Sequence, residues 1–145
     1  MKPEYIIIHC SATKDSGTVS WQAIRRYHMG TLHWSNIGYH FGCELVNNQF
    51  EILAGRPLNI AGAHCRAAGM NSRSIGFCVI GSFDYIKPPI EQVTLSAKYV
   101  AGLADLLNIP TSKIRGHRHF ESKKTCPGKM FDMDGFRKIV DNKRK

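Results

Sequence analysis

The chain has 145 residues, of which 43% are hydrophobic and 21% charged, and its formal net charge is +9. This length suits one globular domain and is too short for two ordinary ones, so we predict a single domain over residues 1–145. No apolar run approaches the roughly 20 residues that span a bilayer, and no proline-, glycine- or serine-rich tract separates two regions. These observations exclude a transmembrane segment and a flexible interdomain linker.

The positive charge predicts attraction to polyanions such as nucleic acid, anionic lipid or a bacterial wall, but it does not choose among them. Part of the charge lies in Lys138 and Lys143–Lys145, where a solvated helix end and tail is the favoured interpretation. The five cysteines are an odd number, and no secretory signal precedes the first strand-like run. We therefore expect synthesis in the cytoplasm, no disulfide framework and at least one free thiol.

Strand and helix patterns alternate along the chain. In chain order they predict a buried strand at Tyr5–Cys10, a helix at Trp21–His28 that Ser20 caps and Gly30 ends, a hairpin of strands Gly38–Val46 and Gln49–Leu53, and a buried strand at Ser74–Gly81. There follow a core helix at Glu91–Leu107, a short strand at Lys113–Gly116, a loop from His117 to Met130, and a last helix that begins at Asp132 or Asp134. This interleaving predicts an α/β fold.

Three side chains stand at positions that suit chemistry. His9 ends an apolar strand, where its ring either faces an open cleft or has a buried hydrogen-bond partner, and both interpretations stay open. His117 and Cys126 are nine positions apart in a loop-like stretch, so the loop can return both side chains to one point. Imidazole and thiolate are good zinc ligands, although Cys126 can equally be an inert buried thiol.

Six short motifs occur in an order that points to a known family. They are Ile7–Thr13, Asn36–Phe41, Ala61–His64, Asn71–Gly76, Gly116–Arg118 and Lys124–Gly128, and they are spread over most of the chain. On these motifs the sequence resembles the zinc-dependent N-acetylmuramoyl-L-alanine amidases of type 2, which include phage lysozyme-type amidases and animal peptidoglycan recognition proteins. The resemblance implies a central mixed β-sheet of about five strands, flanked by helices, with zinc in an open groove.

The same resemblance implies roles for individual side chains. These are the zinc ligands His9, His117 and Cys126, the catalytic residues Tyr39 and Lys124, and the substrate-binding residue His64. His40 follows Tyr39 on the predicted strand, so its side chain should point the opposite way. The interval from His117 to Cys126 is one residue longer than the family commonly has, which leaves His119 as a rival ligand. The Gly-His-Arg setting favours His117.

The activity that the resemblance implies is zinc-dependent hydrolysis of the amide between N-acetylmuramic acid and the L-alanine of the peptidoglycan stem peptide. A site with three protein ligands leaves zinc one open position, which suits this hydrolysis. We expect a monomeric phage or prophage endolysin that reaches bacterial peptidoglycan after release, although a recycling enzyme or a secreted toxin would look similar. No His-Glu-x-x-His helix is present, so no motif names a general base.

Two non-enzymatic hypotheses stay open on the sequence alone. The first is a peptidoglycan-binding module, against which the retained Cys126 speaks, because receptor relatives often lack the cysteine ligand. The second is a regulator that binds nucleic acid or protein, which the positive charge suggests. No recognised nucleic-acid motif supports it, so we expect no nucleic-acid partner.

Overall fold

A computed structural model describes residues 1–13 and 21–145 of the chain. Its centre is a mixed sheet with the strand order β3-β2-β4-β1-β5. The strands are β1 (Tyr5–Cys10), β2 (Phe41–Val46), β3 (Gln49–Ala54), β4 (Ser74–Val79) and β5 (Ile114–Gly116). The helices are α1 (Trp21–Arg26), the single turn α2 (Met70–Arg73), α3 (Ile90–Leu106) and α4 (Met133–Arg144).

The strand pairing brings distant segments to one end of the sheet. Strand β1 pairs in parallel with both β4 and β5, and β2 pairs in parallel with β4 and antiparallel with β3. The register places His9 opposite Cys78, and Ile8 opposite Gly116. Because parallel strands end at the same edge, the residues that follow β5 emerge beside the end of β1.

The two faces of the sheet are covered differently. Side chains alternate along β1, so that Ile6 and Ile8 join the large core with residues of α3 and α4, whereas Ile7 packs on the opposite face. His9 shares this second face by the same alternation. On that face, Trp21 of α1 packs with Cys78 of β4. The second face therefore holds His9 among loops and short turns.

The predicted five-stranded mixed sheet is confirmed, and β1 has the predicted bounds. Helix α4 begins after Asp132, whose side chain accepts a hydrogen bond from the backbone N–H of Gly135, as an N-cap should. The apolar positions of α3 lie against the sheet as expected, with Ala97 and Val100 fully buried. In the part of the chain that the structure describes, no helix is both long and apolar enough to cross a membrane.

Two boundary predictions were wrong. The helix that begins at Trp21 passes at Tyr27 into a wider π-helical turn that ends at Thr31, and Gly30 lies inside this turn. The left-handed backbone occurs at His33, with φ of 58°, rather than at Gly30. Strand β2 begins at Phe41, so Tyr39 lies just before the strand and not within it. The predicted cap at Ser20 falls outside the described residues.

Candidate metal centre and catalytic site

The three predicted metal ligands come together at the end of the sheet. His9 is the penultimate residue of β1, His117 directly follows β5, and Cys126 lies in the loop before α4. One donor atom from each of them lies within 4.8 Å of the other two. The pairing of Ile8 with Gly116 sets the two histidines side by side, with ring centroids 4.7 Å apart. The fold thus joins side chains that are more than a hundred positions apart in sequence.

The spacing and chemistry of these donors suit zinc. Nitrogen and sulfur ligands at tetrahedral angles around one zinc ion are separated by about 3.3–3.7 Å, given the usual bond lengths. Cys126 Sγ lies 3.7 Å from His9 Nδ1. His9 is 2% and His117 is 9% exposed, so both rings are held by surrounding protein. Two imidazoles and one thiolate leave a fourth tetrahedral position for a substrate or water.

The other nitrogen of His9 faces His64. His9 Nε2 lies 2.9 Å from His64 Nδ1. If Nδ1, the nitrogen near Cys126, binds the metal, a neutral His9 ring carries its proton on Nε2 and donates that N–H to His64 Nδ1. The His64 ring is packed so closely against Gly62 and Gly76 that a Cβ there would come within 2.4 and 2.6 Å of it. His64 thus contacts a predicted metal ligand, and its contact with substrate stays a prediction.

Burial keeps these rings uncharged. Burial, reinforced by the neighbouring His40 ring, lowers the pKa of His64 to about 3. Burial also lowers the pKa of His9 well below its ordinary value, with smaller contributions from His64 and His117. Neutral imidazole is the form that binds a metal ion, so the local environment prepares His9 for that role.

Backbone contacts fix the loop that carries Cys126. The backbone N–H of Cys10 donates to Cys126 Sγ at 3.3 Å, and the N–H of Arg118 donates to the Cys126 carbonyl at 2.9 Å. The guanidinium of Arg118 donates to the carbonyls of Gly128 at 2.6 Å and Phe131 at 3.1 Å. Contact with the Cys10 side chain and burial raise the pKa of the Cys126 thiol. A bound cation would act in the opposite direction, because coordination favours the thiolate.

His117 has a carboxylate partner. Its Nε2 lies 2.6 Å from Glu121 Oε2. Donor atoms of Cys65, His117 and Glu121 also lie within 4.8 Å of one another, as a second group that suits a metal ion. The rival ligand His119 is exposed, stacks edge-on against Phe120 at 5.0 Å, and belongs to neither group.

A cavity of about 540 Å³ opens over the donor atoms, and its lining includes Tyr39 and Lys124. The Tyr39 ring lies 5.3 Å from the His9 ring and 6.2 Å from Trp21. Burial, reinforced by the Cys78 thiol to which the phenol is hydrogen-bonded, raises the pKa of the Tyr39 phenol well above its ordinary value, so the phenol stays protonated. Lys124 is exposed at the cavity rim. His40 is fully buried and is not part of the cavity lining, and its Nε2 lies 2.9 Å from the Ile60 carbonyl oxygen. The expected alternation along one strand does not apply, because Tyr39 and His40 both precede β2.

Three contributors to the site were not predicted from the sequence. Glu121 and Arg118 hold the segment between the second histidine and the cysteine, and Cys10 contacts the cysteine itself. The spacing of four from His117 to Glu121 was the only available signal, because positions i and i+4 meet on a helical turn. No apolar periodicity marked a turn there, so the segment was predicted as a plain loop.

Comparisons with known proteins agree with this architecture. A family model described as N-acetylmuramoyl-L-alanine amidase matches residues 1–129, a range that contains all six predicted site residues. The endolysin of Enterobacteria phage T3 is 35% identical over 136 residues, covering 90% of this chain and 82% of that protein. Peptidoglycan-recognition protein SC2 of Drosophila melanogaster is 32% identical over 130 residues, covering 86% of this chain and 67% of that protein. The solved structure of the endolysin amidase LysCS from Clostridium intestinale superposes with a TM-score of 0.80 at 26% identity, covering 97% of this chain and 85% of that one.

Proposed function

The chain belongs to the N-acetylmuramoyl-L-alanine amidase family, and we propose that it uses zinc to hydrolyse the amide between N-acetylmuramic acid and L-alanine in peptidoglycan. One observation carries the proposal. Donor atoms of His9, His117 and Cys126 come from three separate segments and meet within 4.8 Å in the wall of an open cavity. A zinc ion held there would supply a Lewis acid for the scissile carbonyl and lower the pKa of water.

The chain's own side chains have separate roles around the proposed zinc ion. His9, whose ring burial keeps neutral, and His117 each present a ring nitrogen, and Cys126 presents a sulfur that the Cys10 N–H orients. The protonated phenol of Tyr39 can donate a hydrogen bond to oxygen at the cavity floor. The Lys124 ammonium, on a long chain at the rim, can approach the negative charge that develops on the carbonyl oxygen. Both groups would stabilise the transition state more than the substrate.

The cavity and the comparisons also support a proposed substrate and place of action. A volume of about 540 Å³ is in the range of sites that bind small organic groups, which suits a stem peptide beside its sugar. We also propose that the chain acts as a monomer, because the six proposed site residues all line one cavity within a single chain. The similarity to phage endolysins supports action on the bacterial wall after release. We further propose that His64 lies at the edge of the bound peptide and that no nucleic acid takes part.

The deciding experiment is a digest of purified peptidoglycan with zinc-loaded protein, followed by mass spectrometry for stem peptides that begin with L-alanine. Chelator-treated protein and the Cys126→Ser variant are the controls. We expect zinc-dependent release by the native chain only. Sedimentation of the protein with intact wall, without any new peptide or amine, would instead support a peptidoglycan-binding module and contradict the hydrolase.

A matched pair of lysine variants separates metal binding from turnover. Lys124→Ala should keep zinc but release stem peptide about 10²-fold more slowly, because a charge that stabilises the developing oxyanion is lost. Lys123→Ala removes an adjacent exposed lysine that does not line the cavity, so its rate should match the native chain. Equal rates for both variants would remove Lys124 from the mechanism.

A further inference from the structure

We propose that Glu121 is a positioning residue for His117: its carboxylate accepts the Nε2–H of the ring and thereby makes Nδ1 the metal-binding nitrogen. The inference rests on the metal site proposed above, which needs His117 but does not specify which nitrogen it uses. Neither the family motifs quoted above nor the comparisons assign a role to this glutamate.

A local backbone turn places the carboxylate. The residues His117–His119 form a short 3-10 turn directly after β5. The backbone N–H groups of Phe120 and Glu121 both donate to the His117 carbonyl, at 3.0 and 3.2 Å. A single helical turn therefore separates the histidine from the glutamate, and side chains four positions apart on such a turn meet. The resulting Nε2 to Oε2 distance is 2.6 Å.

This contact determines the tautomer of the ring. A carboxylate only accepts hydrogen bonds, so the nitrogen that faces it must carry a proton. A protonated ring nitrogen has no lone pair for a metal ion. In a neutral imidazole the other nitrogen is then bare, and for His117 that nitrogen is Nδ1. Hydrogen bonds from metal-binding histidines to carboxylates commonly fix the ring in this way and make it a stronger ligand.

The arrangement around His9 supports the same choice of nitrogen. His9 Nδ1 is 3.7 Å from Cys126 Sγ, while its Nε2 is engaged by His64. With Glu121 on Nε2 of His117, both histidines present Nδ1 to the metal position and use Nε2 as a tether. The tethers differ in chemical type, because His64 is a buried neutral imidazole and Glu121 is a carboxylic acid side chain. The Glu121 side chain is 37% exposed and is not part of the cavity lining, so it acts through His117 and not on substrate.

Zinc affinity is the first test. The dissociation constant of the full chain is measured by competition with a chromophoric chelator, for native protein, Glu121→Ala and Glu121→Gln. We expect Glu121→Ala to bind zinc about 10- to 100-fold more weakly, with Glu121→Gln between the two, because the amide oxygen still accepts a hydrogen bond but has no charge. The control is Glu51→Ala, an exposed glutamate on β3 at the opposite edge of the sheet from β5. Native-like melting of each variant in chelator confirms that the fold is intact.

The second test reads the tautomer directly. Two-bond proton–nitrogen NMR correlations of the metal-free protein should show His117 protonated at Nε2 in the native chain, and a mixture of tautomers in Glu121→Ala. A native ring protonated at Nδ1, or affinities of both Glu121 variants that equal the native value, would overturn the inference. Binding of two zinc ions per chain, reduced to one by Cys65→Ser, would also overturn it, because Glu121 would then be a ligand. Absence of zinc binding by the native chain would refute the proposed function instead, and the tautomer would still decide the role of Glu121.

Discussion

The buried ring of His40 offers a quantitative test of how the fold supports the site. His40 is fully buried between β4 and the loop that leads to His64. Its Nδ1 accepts the backbone N–H of Gly76 at 3.0 Å, and its Nε2 donates to the Ile60 carbonyl at 2.9 Å. Both bonds require the neutral ring with its proton on Nε2. Replacement of His40 by alanine leaves one buried donor and one acceptor without this partner.

The size of the effect follows from these two bonds. Each backbone group left unpaired costs about 1–3 kcal/mol, and the lost ring adds a cavity, so we expect His40→Ala to lower the free energy of unfolding by about 4 kcal/mol. For a chain of this length that corresponds to a melting temperature lower by about 8–16 °C. The cost applies near pH 7, where the native ring is neutral.

The difference in free energy of unfolding between the native chain and His40→Ala should decrease in acid. Burial lowers the pKa of His40, so the unfolded chain takes up a proton near pH 6.5 while the folded ring does not. Stability from the neutral ring is therefore complete above that pH and is lost as the pH falls. Each pH unit below 6.5 removes about 1.4 kcal/mol while the folded ring stays neutral. The alanine variant lacks this proton uptake.

The assay is urea unfolding followed by tryptophan fluorescence, in chelator, at pH 7 and pH 5. His33→Asn serves as the control, because His33 is exposed and its φ of 58° suits asparagine. If His40→Ala lowers the free energy of unfolding by less than about 1 kcal/mol at pH 7, the two hydrogen bonds contribute little. If the difference in free energy of unfolding between the native chain and His40→Ala is the same at both pH values, the His40 ring is not held neutral by these bonds.

Three further substitutions test the site itself. Gly76→Ala places a Cβ 2.6 Å from the His64 ring, so it should cost about 1–3 kcal/mol of stability and weaken zinc retention, measured by melting and by metal analysis after gel filtration. Arg118→Lys cannot reproduce the guanidinium bonds to the loop around Cys126, so we expect a loss of about 2 kcal/mol and faster zinc loss to chelator. Tyr39→Phe removes only the phenolic hydroxyl, so zinc binding should be unchanged while stem-peptide release falls about 10²-fold; an unchanged rate would exclude this hydroxyl from catalysis.

The parts of the fold that depend on local patterns were predictable. A continuous apolar run gave the bounds of β1, and an acidic N-cap gave the start of α4. The helix end near Gly30 was not predictable, because it depends on tertiary contacts. The His28 ring accepts the backbone N–H of Gly38, ten positions later, and the His28 carbonyl accepts the N–H of Trp34. These contacts sustain a wider turn past the glycine that a local rule would use as a stop.

The site, like the fold, has one part that local sequence patterns predicted and another that depends on tertiary contacts. The residue types at His9, His117 and Cys126 indicated zinc because they stand in motifs that match the family in order, but the sequence did not predict which side chains hold these residues in place. His9 meets His64 across 55 positions because β1 and β4 are parallel neighbours and Gly76 leaves room for the ring. Such a contact depends on strand order, which a single sequence does not specify.

Unequal anchoring of the three donors has a consequence for metal exchange. His9 lies on the central strand β1 and is almost fully buried, so its position is as stable as the sheet. Cys126 is partly exposed at the edge of the core, on a loop held by hydrogen bonds that involve Arg118, Cys10 and Asp84, and these bonds can open at lower cost than the pairing of the sheet. Local openings of low free energy occur where few buried apolar contacts are lost. Zinc should therefore leave by release of the thiolate first, and substitutions in this loop should speed zinc loss before they lower the melting temperature of the metal-free chain.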